Sequence, residues 1–153
     1  MRGSVIIPLR DGGDAFRACL AAVSASNPRA HELIVVVDGP DAEASRLAAA
    51  AGARVLALPA TVGPARARNL GAAEATGDIL FFVDADVVVP PGLFGHVAER
   101  LRANPDIAAV IGSYDDAPAD PGCLSQYRNL LHHYVHQTAH EEASTFWCGC
   151  GAI

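Results

Sequence analysis

The sequence predicts an α/β fold, three αβα layers around a mostly parallel sheet. Two observations lead there. Short β-branched runs alternate with longer alanine-rich segments of helical period, as βαβ units do. The strand-like runs are also apolar throughout rather than at every second residue, as in "ELIVVVD" (32–38), and strands covered by helices on both faces read this way.

Each element follows in order. "SVIIP" (4–8) is a first strand. Asp14 is placed to cap a helix carrying Phe16, Cys19, Leu20 and Val23 on one face, which Asn27-Pro28 stops. After the second strand (32–38), a helix over 42–51 ends at Gly52, and "RVLAL" (54–58) is the third strand. Gly63-Pro64 opens the next helix, with proline at the first helical position where its missing N–H costs nothing, and Gly77 is expected to close it. "DILFFVD" (78–84) is the fourth strand. Pro91 starts a helix bearing Leu93, Phe94, Val97 and Leu101, ended by Asn104-Pro105, and "IAAVIGSY" (107–114) is a fifth strand. A loop (115–122), one amphipathic helix (123–142) and an extended segment (144–153) complete the chain. That last segment is apolar, with neither cap nor turn, so the chain is expected to be the front part of a larger protein.

One domain over 1–153 is expected, because a chain of this size buries about 70% of the surface its unfolded form exposes. Hydrophobic residues make up 51% and charged ones 18%, a globular rather than disordered balance. The formal net charge of −6 argues against a nucleic-acid binder, which needs a surplus of cations to neutralise phosphates. All 11 basic residues are Arg, which removes lysine-dependent chemistry. Cys19, Cys123, Cys148 and Cys150 form no disulfide framework, and a reduced, cytoplasmic setting fits them. The N-terminus lacks the apolar stretch of a signal peptide, and no run approaches the ~20 residues of a transmembrane helix. Peripheral membrane association and a homo-oligomer stay open. An exposed edge on the C-terminal strand would invite pairing with another chain.

In an open α/β sheet, ligands sit outside the carboxyl ends of the strands. Asp38 follows the second strand, Asp84 and Asp86 follow the fourth, and Arg66 and Arg68 lie in the first turns of the helix after the third. In an extended segment Asp84 and Asp86 would share a side, roughly 6 to 7 Å apart. Two hard oxygen ligands with open positions suit Mg²⁺ or Mn²⁺ bridging phosphates.

Together and in this order, "SVIIPLRDGGD", "ELIVVVDGPD", "VGPARARNLGAAEATGDILFFVDADVVVPPGLF" and "TFWCGCGAI" resemble the nucleotide-sugar-binding half of family 2 inverting glycosyltransferases with the Rossmann-like GT-A (nucleotide-diphospho-sugar transferase) fold. The resemblance implies metal-dependent transfer of a sugar from a nucleotide-diphosphate donor to a hydroxyl acceptor, with inversion. It implies that Pro8 and the loop after it line the base pocket and that the Asp38 carboxylate accepts an N–H of the base. Arg68 would reach base or phosphates, Asp84 the ribose or the metal-bound diphosphate, and Asp86 the divalent cation, Mg²⁺ or Mn²⁺. A bound cation would stabilise the charge gathering on the diphosphate leaving group.

Three departures stand out. Val37 takes the first of two positions where the family has acidic residues. Val88 occupies the place where some polyprenyl-phosphate sugar transferases carry an extra amide ligand. The general base, which an inverting displacement needs to activate the acceptor hydroxyl, is a carboxylate that the family places downstream of the segment matching "GCGAI", beyond Ile153. A non-catalytic nucleotide-sugar-binding module is therefore the alternative reading.

Asp84-Ala85-Asp86-Val87-Val88 also fits the pattern of haloacid-dehalogenase-like phosphatases, but those place it on their first strand and use a lysine that this chain lacks. His132, His136 and His140 share one helix face and could ligate a transition metal, or simply form the wetter face opposite a buried side of Tyr127, Leu130, Leu131, Tyr134 and Val135. Cys148 and Cys150 could be redox-active or buried thiols. Trp147 could stack on a sugar or fill the core. No Gly-x-Gly-x-x-Gly follows the first strand, which leaves a dinucleotide oxidoreductase without support.

Overall fold

The structure, a computed structural model, describes residues 1–118, 120–139, 146–147 and 149–153. The strands are β1 (Gly3–Leu9), β2 (Glu32–Val37), β3 (Arg54–Ala57), β4 (Ile79–Val83), β5 (Val110–Ile111) and β6 (Cys150–Ala152). The helices are α1 (Asp14–Ala25), α2 (Ala42–Ala50), α3 (Pro64–Glu74), α4 (Leu93–Ala103) and α5 (Cys123–Thr138). The strands form one sheet in the order β3-β2-β1-β4-β6-β5, in which the first four neighbours are parallel and β6 runs against both β4 and β5.

The continuous apolar runs have a two-sided use. Val5, Ile7, Leu9, Val35 and Val37 face a core shared with Phe16, Cys19, Leu20 and Val23 of α1, Ala44 and Ala48 of α2, and Phe94, Val97 and Leu101 of α4. The intervening Ile34 and Val36 face Ala67 of α3 on the other side. Each buried aliphatic side chain of this kind contributes about 1.5–3 kcal/mol. The helices of one side and α3 of the other thus enclose the sheet in three layers.

Several expectations shift. The α1 cap residue is Gly13, and Asp14 is the first helical residue, its side chain making no cap bond. The helix α3 stops at Glu74, and Gly77 instead sits where a Cβ would lie 2.5 Å from Ser4 Oγ. The α4 helix starts two residues after Pro91, behind Gly92 in the left-handed region at φ 85°. The fifth strand shrinks to two residues, and among the described residues it pairs with the short β6 alone. Among the described residues β6 is not an edge strand, since β5 covers it on its outer side.

The largest reversal concerns α5. Tyr127, Leu130, Leu131, Tyr134 and Val135, expected to be buried, are 42–64% exposed. The opposite face packs instead: His132 stacks on Tyr114 at 5.3 Å, and His132 and His136 lie 5.1 and 4.6 Å from the Trp147 ring. Among the described residues, no helix is long and apolar enough to cross a membrane.

Candidate functional site

Parallel strands end on one side of the sheet, and the residues that follow β1, β2 and β4 converge there with the start of α3. They line a cleft of about 600 Å³ that includes Pro8, Arg10, Asp11, Asp38, Thr61, Gly63, Pro64, Arg68, Asp84 and Asp86. All five residues assigned to the site in the sequence, Pro8, Asp38, Arg68, Asp84 and Asp86, are among them. Arg66 is exposed and does not line the cleft.

The Asp-x-Asp motif is not extended. After Val83 the chain turns, with the Val87 N–H donating to the Asp84 carbonyl at 3.0 Å, so both carboxylates reach the cleft from a tight turn rather than from alternate positions of a strand. The Asp84 N–H donates to the Gly149 carbonyl at 2.8 Å, tying the motif to the segment before β6. Beneath it the Cys19 thiol donates to the Asp84 carbonyl at 3.6 Å. Burial, with the nearby Asp86 and Asp84 carboxylates adding to it, pushes that thiol up to about 12.

Arg68 projects from the second turn of α3 and donates from Nη2 to Asp84 Oδ1. Its side chain is 14% exposed and that of Asp84 36%. Burial lifts the Asp84 carboxyl above the usual carboxylate range; the Arg68 guanidinium opposes this and Asp86 adds to it. Arg68 Nε is buried and has no hydrogen-bond partner among the described residues. Asp86 is exposed and takes no hydrogen bond from the protein among the described residues.

Asp38 is 4% exposed. Its Oδ1 accepts the Val62 N–H at 2.6 Å, and its Oδ2 accepts the Gly63 N–H at 2.9 Å. Gly63 is the cap residue of α3, at φ 90°, a conformation that favours glycine, and it has no side chain with which to cap the helix. The helix N-terminus at Gly63 and Pro64 opens onto the cleft, where its free amides and dipole favour an anion.

The departures noted in the sequence also find their places. Val37 is fully buried in the core, so that position points away from the cleft. Val88 is 64% exposed and outside the cleft lining. His140 and Cys148 lie outside the described residues. Cys150 is a half-buried free thiol, raised by burial first and by Asp84 second. Trp147 packs against Tyr114, His132 and His136, next to Gly149, whose added Cβ would lie 3.1 Å from Trp147 Nε1 and 3.4 Å from Asp84 Oδ2. Sequence reading missed Cys19, Gly149, Thr61 and the Val62–Gly63 amides, because these are contacts between distant segments with no local signal.

Residues 4–151 match the family described as Glycosyl transferase family 2. The chain belongs to that family. The family 2 chain is 38% identical over 95 residues to the glycosyltransferase YibD of Escherichia coli, covering 60% of this chain and 28% of that one. It is 33% identical over 107 residues to a pre-mycofactocin glycosyltransferase of Mycobacterium tuberculosis, covering 65% and 22%. The matches thus span about a quarter of the length of these relatives. Among solved structures, the mannosyltransferase PcManGT of Pyrobaculum calidifontis, in complex with GDP-Man and Mn²⁺, superposes with TM-score 0.72 at 20% identity, covering 99% of this chain and 44% of that one. S. aureus TarS 1-349 in complex with UDP-GlcNAc superposes with TM-score 0.69 at 18% identity, covering 80% and 37%. These likenesses carry the fold, which is GT-A.

Proposed function

We propose that this family 2 chain binds a nucleotide-diphospho-sugar in the cleft at the C-terminal strand ends, as the donor-binding part of a glycosyltransferase acting on a hydroxyl acceptor with inversion. The observation that carries it is the convergence of Pro8, Arg68, Asp84 and Asp86 with the α3 N-terminus in one cleft. An anion-binding helix N-terminus, a guanidinium and two carboxylates are the complement of a diphosphate with a cation.

The donor set fits a divalent ion. Asp84 Oδ2 takes no part in the Arg68 bond, and among the described residues Asp86 accepts no hydrogen bond, so two hard oxygen ligands are at hand. Among the described residues no group of three or more His, Cys, Asp or Glu could hold a metal, so the diphosphate would supply the remaining oxygens. We assign Asp86 and Asp84 to Mg²⁺ or Mn²⁺; when bound, the ion offsets charge on the leaving diphosphate. The Mn²⁺ and GDP-Man of the PcManGT structure and the UDP-GlcNAc of the TarS structure support a cation and a nucleotide-sugar donor. Pro8 and the following loop form the wall on the base side, and Arg68 orients Asp84 and faces the phosphates. The general base is assigned, by the resemblance, to a carboxylate that follows Ile153 in longer family members.

Titration calorimetry with UDP- and GDP-sugars, with and without Mn²⁺, on the wild type and on Asp86→Ala tests this. Metal-dependent binding that is lost in Asp86→Ala is expected. No binding in any condition, or turnover of phosphatase substrates, rejects the reading. Sugar transfer by the 153-residue chain alone would place the base within it.

A further inference from the structure

Arg10, Asp11 and Gly13 of the β1–α1 loop line the cleft, yet the side chains of Arg10 and Asp11 are 75% and 89% exposed and form a loose pair at 3.9 Å. A loop whose side chains stay in water takes its position from its backbone. Here the Gly12 N–H donates to Asp41 Oδ2 at 3.2 Å, and among the described residues no other side chain outside the loop hydrogen bonds residues 10–13. Asp41 serves two segments at once. Its Oδ1 accepts the Ala44 N–H at 2.8 Å as the cap of α2, while its Oδ2 holds a residue 29 positions earlier. The Ala44 amide first, and the Gly12 amide second, hold its carboxyl below the usual carboxylate range, so both bonds favour the charged form. The approach is also close. A Cβ on Gly12 would lie 3.0 Å from Ala44 Cβ and 3.3 Å from Asp41 Oδ2, and Ala44 is fully buried, so the loop reaches α2 through a glycine. Arg17 Nη2 donates to Glu43 Oε1 at 2.6 Å and adds a second link, between the first turns of α1 and α2.

We propose that Asp41 is a positioning residue for the base side of the cleft: by tying Gly12 to the start of α2, it sets the path of the Arg10–Gly13 segment that a nucleobase would meet. The effect on ligand rests on the donor-binding reading above, whereas the tie itself rests on the chain alone. Asp41 is not among the residues that line the cleft, so it acts through the loop. The phosphate side is held by other bonds, those of Gly63 to Asp38, of Arg68 to Asp84 and of the Asp84–Val87 turn. Loosening Gly12 should therefore be felt by the base and not by the phosphates.

Asp41→Ser and Asp41→Asn separate the tie from the cap. Serine and asparagine cap helices about as well as aspartate. A serine hydroxyl that caps α2 is too short to reach Gly12 as well, and an asparagine that caps through its oxygen turns its amide NH₂ toward the Gly12 N–H, donor against donor. Both variants are expected to unfold near the wild-type midpoint. The first measurement is the rate of limited trypsin cleavage after Arg10 in the native proteins, read by peptide mass. Faster cleavage there in both variants, with the other arginine sites unchanged, is expected; equal rates overturn the tie. The second is calorimetry of UDP, GDP and inorganic pyrophosphate, each with Mn²⁺. Both nucleotides are expected to bind the variants roughly three- to tenfold more weakly, with pyrophosphate unchanged. Unchanged nucleotide affinity, or an equal loss for pyrophosphate, overturns the positioning role. Should no nucleotide bind the wild type, the donor-binding reading fails while the cleavage rates still judge the tie. Should a variant not fold, Gly12→Ala, which keeps the Asp41 cap and drives a methyl against Ala44, takes both measurements with the same expected outcomes.

Discussion

Arg68 and Asp84, 16 positions apart, meet where the second turn of α3 faces the end of β4, and the guanidinium is the cation that lies on a carboxylate lifted by burial. The pair joins the helix on one face of the sheet to the strand that carries the Asp-x-Asp motif. Its partners are part-buried, so each depends on the other more than a surface ion pair does. Arg68→Ala is expected to lower stability by about 1–2 kcal/mol, between the values for exposed and for fully buried pairs because Asp84 keeps contact with water. Arg68→Lys keeps the charge but loses the planar fork, and is expected to recover only part. Urea denaturation of both variants, of Asp84→Asn and of the double variant gives the coupling energy. Strictly additive effects would show that the two side chains do not support each other.

Gly71 is the next point at which α3 meets the sheet. A Cβ there would lie 2.5 Å from Ile6 Cγ2 and 3.2 Å from Val36 Cγ2. Both neighbours are fully buried, so neither can give way cheaply. Gly71→Ala is expected to destabilise by about 1–3 kcal/mol despite alanine's better helix propensity. Thermal unfolding checks this, and an unchanged or higher midpoint would mean that the helix sits farther out than described.

Glu32 gives a pH-dependent test at the opposite end of the sheet. Partial burial alone would raise its carboxyl, but hydrogen bonds from Ser4 Oγ at 2.6 Å and from the Thr76 N–H and hydroxyl at 2.6 and 2.8 Å hold it down, from 4.5 to about 2. A carboxyl lowered by folding adds stability that is full above its unfolded value and is lost as pH falls from 4.5 toward about 2. Glu32→Gln should therefore remove about 1–2 kcal/mol at pH 7, after allowance for water screening, and less at pH 3. Denaturation at the two pH values measures the difference; an equal loss at both would show that the interaction does not depend on the charge.

Cys19 lies under the motif, and burial pushes its thiol up to about 12, which leaves it almost wholly protonated at neutral pH. Cys123 is an exposed free thiol on α5. Iodoacetamide at neutral pH is expected to modify Cys123 in the native protein and Cys19 only after unfolding, as peptide mapping would show. Native labelling of Cys19 would mean that the Asp84 turn opens readily.

Local pattern carried the reading a long way in some regions and failed in others for identifiable reasons. The strands of the parallel half were legible because two-sided burial leaves an unbroken apolar run, as in Leu33 to Val37. The α5 face was read backwards. Its sequence offers both an aliphatic and a histidine stripe, and the choice fell to Tyr114 and Trp147, which lie outside the helix and take the histidine side. Asp14 carries the right residue type for a cap one position too late, and periodicity cannot resolve one position.

By itself the sequence determined that an α/β sheet forms and that Pro8, Asp38, Arg68, Asp84 and Asp86 gather at one end of it. Parallel strands joined by helices must all end on the same side, so residues that follow them converge whatever the details of packing. The tertiary structure alone decided that Asp38 is held by amides 24 and 25 positions further on, that Arg68 takes Asp84, and that β6 slips between β4 and β5. Those bonds join segments with no shared period, and they exist only once the burial of both faces of the sheet has brought the segments together.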